Sequence, residues 1–138
     1  LFLKHYESSD SSIIPALTGF TNELNKNIPK TESRHYHYLF SNPVNNSTCK
    51  RMNLFLRWMI RKDEIDTGLW SSIPPSKLVM PVDTHIARIS KKLKLVKRKS
   101  IDLKFALELT ERLKTFDPAD PVKYDFALCH IGIDKKEF

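Results

Sequence analysis

Glycine is scarce in this chain, with three in 138 residues. That scarcity excludes a turn-rich all-β architecture, whose tight hairpins depend on the left-handed conformations that glycine adopts freely. Cysteine is scarcer still. Cys49 and Cys129 are too few for a four-cysteine zinc or iron-sulfur site, and two isolated thiols fit the reducing cytoplasm. No run approaches the roughly 18 apolar residues that a membrane span needs, so no membrane partner is expected. A Gly-rich phosphate loop, an HExxH helix, a GxSxG elbow and Cys/His metal spacing are all missing, so neither metal nor cofactor is expected.

Acidic residues are absent from one segment in particular. Between Arg88 and Lys99 there are seven basic residues (Arg88, Lys91, Lys92, Lys94, Lys97, Arg98, Lys99) and no acidic one. The rest of the chain holds 16 basic against 16 acidic residues, so the whole net charge of +7 sits in that stretch. Lysine and arginine so concentrated suit a phosphate backbone, from which they release condensed counterions without reading sequence. A solvated surface is the plainer explanation of a charge run.

What is present is helical periodicity. Ile13, Ile14, Leu17, Phe20 and Leu24 recur at helical spacing from about Ser12 to Asn25, with Pro15 in a first turn. A short His/Tyr-rich piece from Glu32 to Phe40, in which His35 and His37 alternate with Tyr36 and Tyr38, leads into a turn over Ser41–Ser47. Met52, Leu54, Phe55, Trp58 and Met59 predict a helix from Thr48 to near Lys62, capped by Ser47 or Thr48. Asp63–Lys77 is an irregular connection with a short turn after Pro75. Asp83 is expected to cap a helix running to about Lys94, and Ser100 to open the next. Two Asp-Pro pairs at 117–118 and 120–121 restart the chain, and the last helix should stop at Gly132. No strand alternates convincingly. The expected fold is one all-α domain over 1–138, and the start at Leu1 suggests a piece of a longer chain.

Few residues are candidates for chemistry. A Cys49/His85 nucleophile pair is conceivable, though nothing in the spacing brings them together; His130 is expected in the core, and Trp58 and Trp70 as packing residues. Lys50 and Asp83, separated by 33 positions, are more suggestive. A lysine in the first turn of a helix feels the positive end of the helix dipole and the adjacent Arg51, which favours the neutral, nucleophilic amine. A carboxylate at the neck of a second helix can stabilise positive charge developing on a sugar. Asp83 before Thr84 is equally a plain N-cap.

The string VDTHIARI, following an apolar proline-containing run, resembles the aspartate-bearing segment of the helix-hairpin-helix DNA glycosylases. CKRMNLFLRWMIRKDEIDTGLW, SKLVMPVDTHIARI and TFDPADPVKYDFALCHIGI resemble more closely a bacterial family, domain of unknown function 2400. The nearest functional analogue is the archaeal 8-oxoguanine glycosylase, whose lysine likewise begins a helix ahead of its aspartate. The resemblance implies an all-α fold of that glycosylase type and a cytoplasmic monomer acting on damaged or abasic duplex DNA. Lys50 would attack the anomeric carbon of a flipped-out nucleotide while Asp83 stabilises the oxocarbenium ion and assists proton transfer. Arg51, His85 and the basic residues of 88–99 would hold DNA. Two departures stand out. The relatives' Gly-x-Gly turn is replaced by Ser41–Thr48, where Asn42, Asn45 and Asn46 can tolerate left-handed geometry. The half of the fold that precedes this point in the superfamily is also expected to lie outside the chain. A nucleic-acid-binding module without base excision, and a helical domain whose basic face meets an acidic protein, are the alternatives.

Overall fold

A computed structural model describes residues 1–29 and 33–133. Among the described residues six α-helices follow one another: α1 (Ile14–Lys26), α2 (Ser33–Leu39), α3 (Lys50–Ile60), α4 (Thr84–Lys92), α5 (Leu103–Lys114) and α6 (Asp125–Ile133). Short 3-10 turns form at Phe2–His5, Pro43–Asn45, Pro75–Lys77 and Pro121–Tyr124. Among the described residues there is no strand, only an isolated antiparallel bridge between Lys62 and Thr67. The fold is all-α. No helix among the described residues is long and apolar enough to cross a membrane.

Several helix ends differ from the sequence expectation, each for a local reason. The residue before α3 is Cys49, in left-handed geometry (φ 50°) with no side-chain cap; Ser47 Oγ accepts from the Cys49 amide at 3.1 Å rather than capping the helix. Asp102, not Ser100, caps α5, its Oδ1 accepting from the Phe105 amide at 3.0 Å. Lys94 turns left-handed (φ 56°), so α4 stops at Lys92. Asp120 opens only a 3-10 turn and directs its carboxylate to Arg61, while α6 continues through Gly132 to Ile133. Glu32 lies outside the described residues.

An extended segment runs through the core. Leu78, Val79, Met80 and Val82 are essentially inaccessible, as are Leu17 of α1, Leu56 of α3, Ile86 of α4 and Phe105 and Leu109 of α5. Each such side chain contributes about 1.5–3 kcal/mol by leaving water. The segment's backbone must still find partners in that apolar setting. Thr110 Oγ1 supplies one, accepting from the Met80 amide at 2.9 Å while donating to the Ala106 carbonyl at 2.7 Å. Pro81 fixes φ one residue before the buried Val82. The chain therefore leaves the core at Asp83 along a fixed path.

The far end of α3 is held by charge. Arg57 and Arg61, both buried, reach into the 62–70 turn and toward the start of α6. Arg57 Nε meets Asp66 Oδ2 at 3.1 Å and its Nη1 pairs with Asp125; Arg61 pairs with Asp66, with Asp63 at 2.7 Å and with Asp120 at 3.0 Å. Buried carboxylates are tolerable only when paired in this way. Gly68 closes the turn at φ +61°, where an added Cβ would lie 2.5 Å from Lys62 Cβ. Trp70 then packs inward, stacked on Phe2 and edge-on to Phe55.

Candidate active site

Lys50 is the first residue of α3 and Asp83 the N-cap of α4, and the fold brings these two helix starts together. Lys50 Nζ lies 3.0 Å from Asp83 Oδ2. The other oxygen, Oδ1, accepts from the Ile86 amide at 2.9 Å and so caps α4. One carboxylate thus does two jobs, one per oxygen. Burial pushes the Asp83 carboxyl up, but the Ile86 amide, the Lys50 ammonium and the His85 amide outweigh it and hold the group below its ordinary range.

The pair opens on a cleft of about 240 Å³. Lys50, Asp83 and Asp125 supply its charge, with Arg57 behind, while Trp58, Phe126 and Cys129 give it apolar walls. Sequence reasoning missed this second group. Helical spacing puts Trp58 among the packing residues, yet it is 46% exposed; Phe126, on an apolar helix face by the same spacing, is 53% exposed with its ring against His130. His130 is accordingly at the surface, not in the core. Asp125 carries no motif, although its place at the N-terminus of α6 is where an acidic residue is favoured. Burial pushes the Asp125 carboxyl up against the pull of Arg57, and the nearby Asp83 charge adds to it. The Cys129 thiol is raised by burial and then by Asp83 and Asp125, so it is a poor nucleophile.

The Cys49/His85 pair does not form a site. Cys49 is buried, donates to the Ser41 carbonyl at 3.3 Å, and burial pushes its thiol up to about 11, even though a hydrogen bond with Ser47 lowers it. His85 is exposed on the first turn of α4. Arg51 packs on Tyr38, its guanidinium 4.0 Å above the ring and 3.0 Å from the hydroxyl. Lys77, close in sequence to the same segment, donates to backbone carbonyls of Ser8 and Asp10 and is structural.

The basic segment divides. Lys91 donates to the Lys99 carbonyl at 2.6 Å and Arg98 forms an ion pair with Asp102, so both have structural work. Lys92, Lys94, Lys97 and Lys99 are exposed and make no ion pair among the described residues, and Arg88 is exposed on α4. At 1.5 Å per residue, Arg88 stands about 8 Å along the helix from Asp83, so the basic run begins within two turns of the cleft. Asp102 also accepts from Asn46 Nδ2 at 3.2 Å, and Asn46 O accepts from the Leu103 amide. The glycine-free 41–48 loop is thereby fastened to α5, with Asn46 taking the left-handed geometry (φ 58°) and Asn42 instead capping a 3-10 turn. Among the described residues no cluster of His, Cys, Asp and Glu has the grouping of a metal site.

Comparison with known proteins adds one finding. No curated protein and no solved structure matches the chain. A family described as Protein of unknown function (DUF2400) matches it over residues 1–134, and the chain belongs to that family.

Proposed function

We propose that this protein is a DNA glycosylase with abasic-site lyase activity, working at the Lys50–Asp83 pair. The observation that carries the reading is the 3.0 Å contact between an amine and a carboxylate at the mouth of a cleft. Residues 33 apart in sequence meet there because the Lys50 side chain, at the start of α3, reaches the Asp83 carboxylate at the start of α4. A 240 Å³ cleft is too small for most drug-sized ligands and suits one planar ring system.

The chemistry assigns each residue a step. Lys50, after losing a proton to solvent, uses its lone pair to form a bond to the sugar C1′ while the C1′–N bond breaks and its electron pair leaves with the base. Asp83 stays ionised and stabilises the positive charge that develops on the sugar. The new secondary amine then expels the ring oxygen, which takes up a proton, and leaves an iminium ion from which the strand can be nicked. The base must first leave the duplex stack, and the exposed lysines of 92–99 would grip the backbone during that step.

Borohydride reduction tests this directly, because it fixes the iminium as a stable adduct. The protein should be trapped on a duplex holding an abasic site, and Lys50→Gln should give no adduct. Salt-sensitive binding without any adduct would establish instead a nucleic-acid-binding module, the reading that the exposed lysines alone support.

A further inference from the structure

The end of α4 has a lysine where glycine would fit better. The Leu95 amide donates to the Ser90 carbonyl at 2.9 Å and the Lys94 amide to the Lys91 carbonyl at 3.0 Å, the paired bonds of a Schellman stop. Lys94 takes the left-handed position of that motif, at φ 56°, where only glycine sits without strain. The negative end of the helix dipole accounts for Lys91 and Lys92 in the last turn. It gives no reason for a long side chain at the strained position.

Lys94 stands at a basic hollow. A depression of about 510 Å³ is lined by Lys94, Leu95 and Lys97 from the turn after α4 and by Glu108 and Arg112 from α5. Three cations face one carboxylate. Glu108 Oε1 accepts from the Lys97 amide at 2.7 Å, which ties the turn to α5. Arg112 is exposed and makes no ion pair among the described residues; its guanidinium lies 5.4 Å from the centre of the Phe116 ring. A ring contact of that kind restrains the guanidinium and leaves its N–H donors free for an acceptor.

We propose that this hollow binds a phosphate of a nucleic-acid backbone, with Lys94, Lys97 and Arg112 as its cations. The inference rests on the nucleic-acid reading of the exposed lysines and adds to it a residue from outside the basic segment, Arg112. It also gives Lys94 a reason to hold a strained position. All three cations are exposed, which suits a polyanion that passes over the surface and releases its counterions there. About 14 Å of helix separates Asp83 from Lys92, a span of about four phosphates along one strand. A strand whose sugar lies at Lys50 can therefore reach the hollow.

Fluorescence anisotropy of a labelled duplex, titrated at several salt concentrations, tests this. Arg112→Gln should lower the salt slope by about 0.9, the value for one phosphate no longer neutralised, and weaken binding about eightfold at about 0.1 M salt. Glu108→Gln keeps an acceptor for the Lys97 amide, removes the carboxylate and should tighten binding a few-fold. Lys94→Gly has two readouts that move in opposite directions. Its Tm should rise by about 2–4 °C as the strain is relieved, while its affinity for DNA falls about as far as that of Arg112→Gln. Lys26→Gln removes the same charge from α1 and should leave the slope unchanged.

An unchanged slope in Arg112→Gln, an equal loss from Lys26→Gln, or a Lys94→Gly variant that binds as tightly as the parent or melts lower overturns the inference. Stabilisation by inorganic phosphate at constant ionic strength, with DNA binding the same in parent and variants, would make the hollow a small-anion site and overturns it too. The lyase reading survives those results if the abasic duplex is still trapped through Lys50. Absence of any salt-sensitive DNA binding removes the inference, and failure of trapping alone removes only the lyase reading.

Discussion

Asp83→Asn separates the two jobs of this side chain. Asparagine caps a helix about as well as aspartate, and its Oδ1 can still accept from the Ile86 amide. What disappears is the charge 3.0 Å from Lys50. The Lys50 side chain is 44% exposed, so the pair is screened and its removal should lower stability by about 0.2–1 kcal/mol. Asp83→Ala removes the cap as well and should cost about 1 kcal/mol more, a further fall of about 3 °C in Tm for a chain of this size. Chemistry should respond on another scale. A carboxylate about 4 Å from a developing cation at an effective dielectric near 20 contributes about 4 kcal/mol, or about three powers of ten in rate. Asp83→Asn is therefore expected to melt within about 3 °C of the parent while excision falls about a thousandfold.

Acid gives an independent check on the same variant. The folded-state pKa of Asp83 is depressed, so its contribution to stability is fully present above the unfolded value of about 4 and is lost as pH falls through the lower folded value. The stability gap between parent and Asp83→Asn should close over that window. Urea melts at several pH values, run beside single-turnover excision assays, measure both quantities. Excision by Asp83→Asn within a few-fold of the parent would refute the electrostatic role and leave the carboxylate as a cap alone.

Other expectations are simpler to state. Arg57→Leu leaves Asp66 and Asp125 buried with one fewer partner and should cost about 3–5 kcal/mol in a urea melt. Gly68→Ala forces a side chain into the left-handed region against Lys62 and should cost about 1–3 kcal/mol by the same measurement. Replacing Lys92, Lys94 and Lys97 together by Gln should flatten the salt dependence of DNA binding by about 0.9 for each phosphate no longer neutralised, whereas an unchanged slope would take the segment out of the interface. Asp63 is held down to about 2 by the Asp66 and Ile65 amides first and Arg61 after, so its stabilisation should be present above about pH 4 and fade as pH falls toward 2.

The helices were legible because their apolar spacing is local information. Leu17 sits on the stripe that the sequence displays for α1 and is buried, whereas the stripe expected for α3 was misplaced: Met52 is buried, but Phe55 and Trp58 are exposed and Leu56 and Ile60 enter the core instead. The ends were less legible, because competing caps look alike: Ser100 and Asp102 are equally good by residue type, and only the ion pair with Arg98 and the hydrogen bond from Asn46 place Asp102 at the start of α5. The two carboxylate oxygens of Asp83 have the same explanation in reverse. Its capping job was readable from the Thr84 that follows, whereas its meeting with Lys50 depends on where the core places the starts of α3 and α4. Asp125 was invisible for that reason too, since its importance comes from neighbours at positions 57 and 83.

Capping and chemistry at Asp83 are not rivals, and their coexistence limits what the residue can do. The buried run from Leu78 to Val82 fixes where the chain emerges, and the Ile86 amide fixes one oxygen, so the other points at Lys50 without freedom to swing away. Amides at a helix start favour the ionised carboxylate, and so does the neighbouring ammonium. A carboxyl held below its ordinary range is a weak base. On the proposed reading it should therefore act by its charge, not as the group that takes the proton from Lys50. That proton leaves to water through the exposed side of the lysine. Asp83→Glu sharpens the distinction, because a longer arm keeps the charge but moves it off the capping position: the rate should fall far less than in Asp83→Asn, while stability falls more.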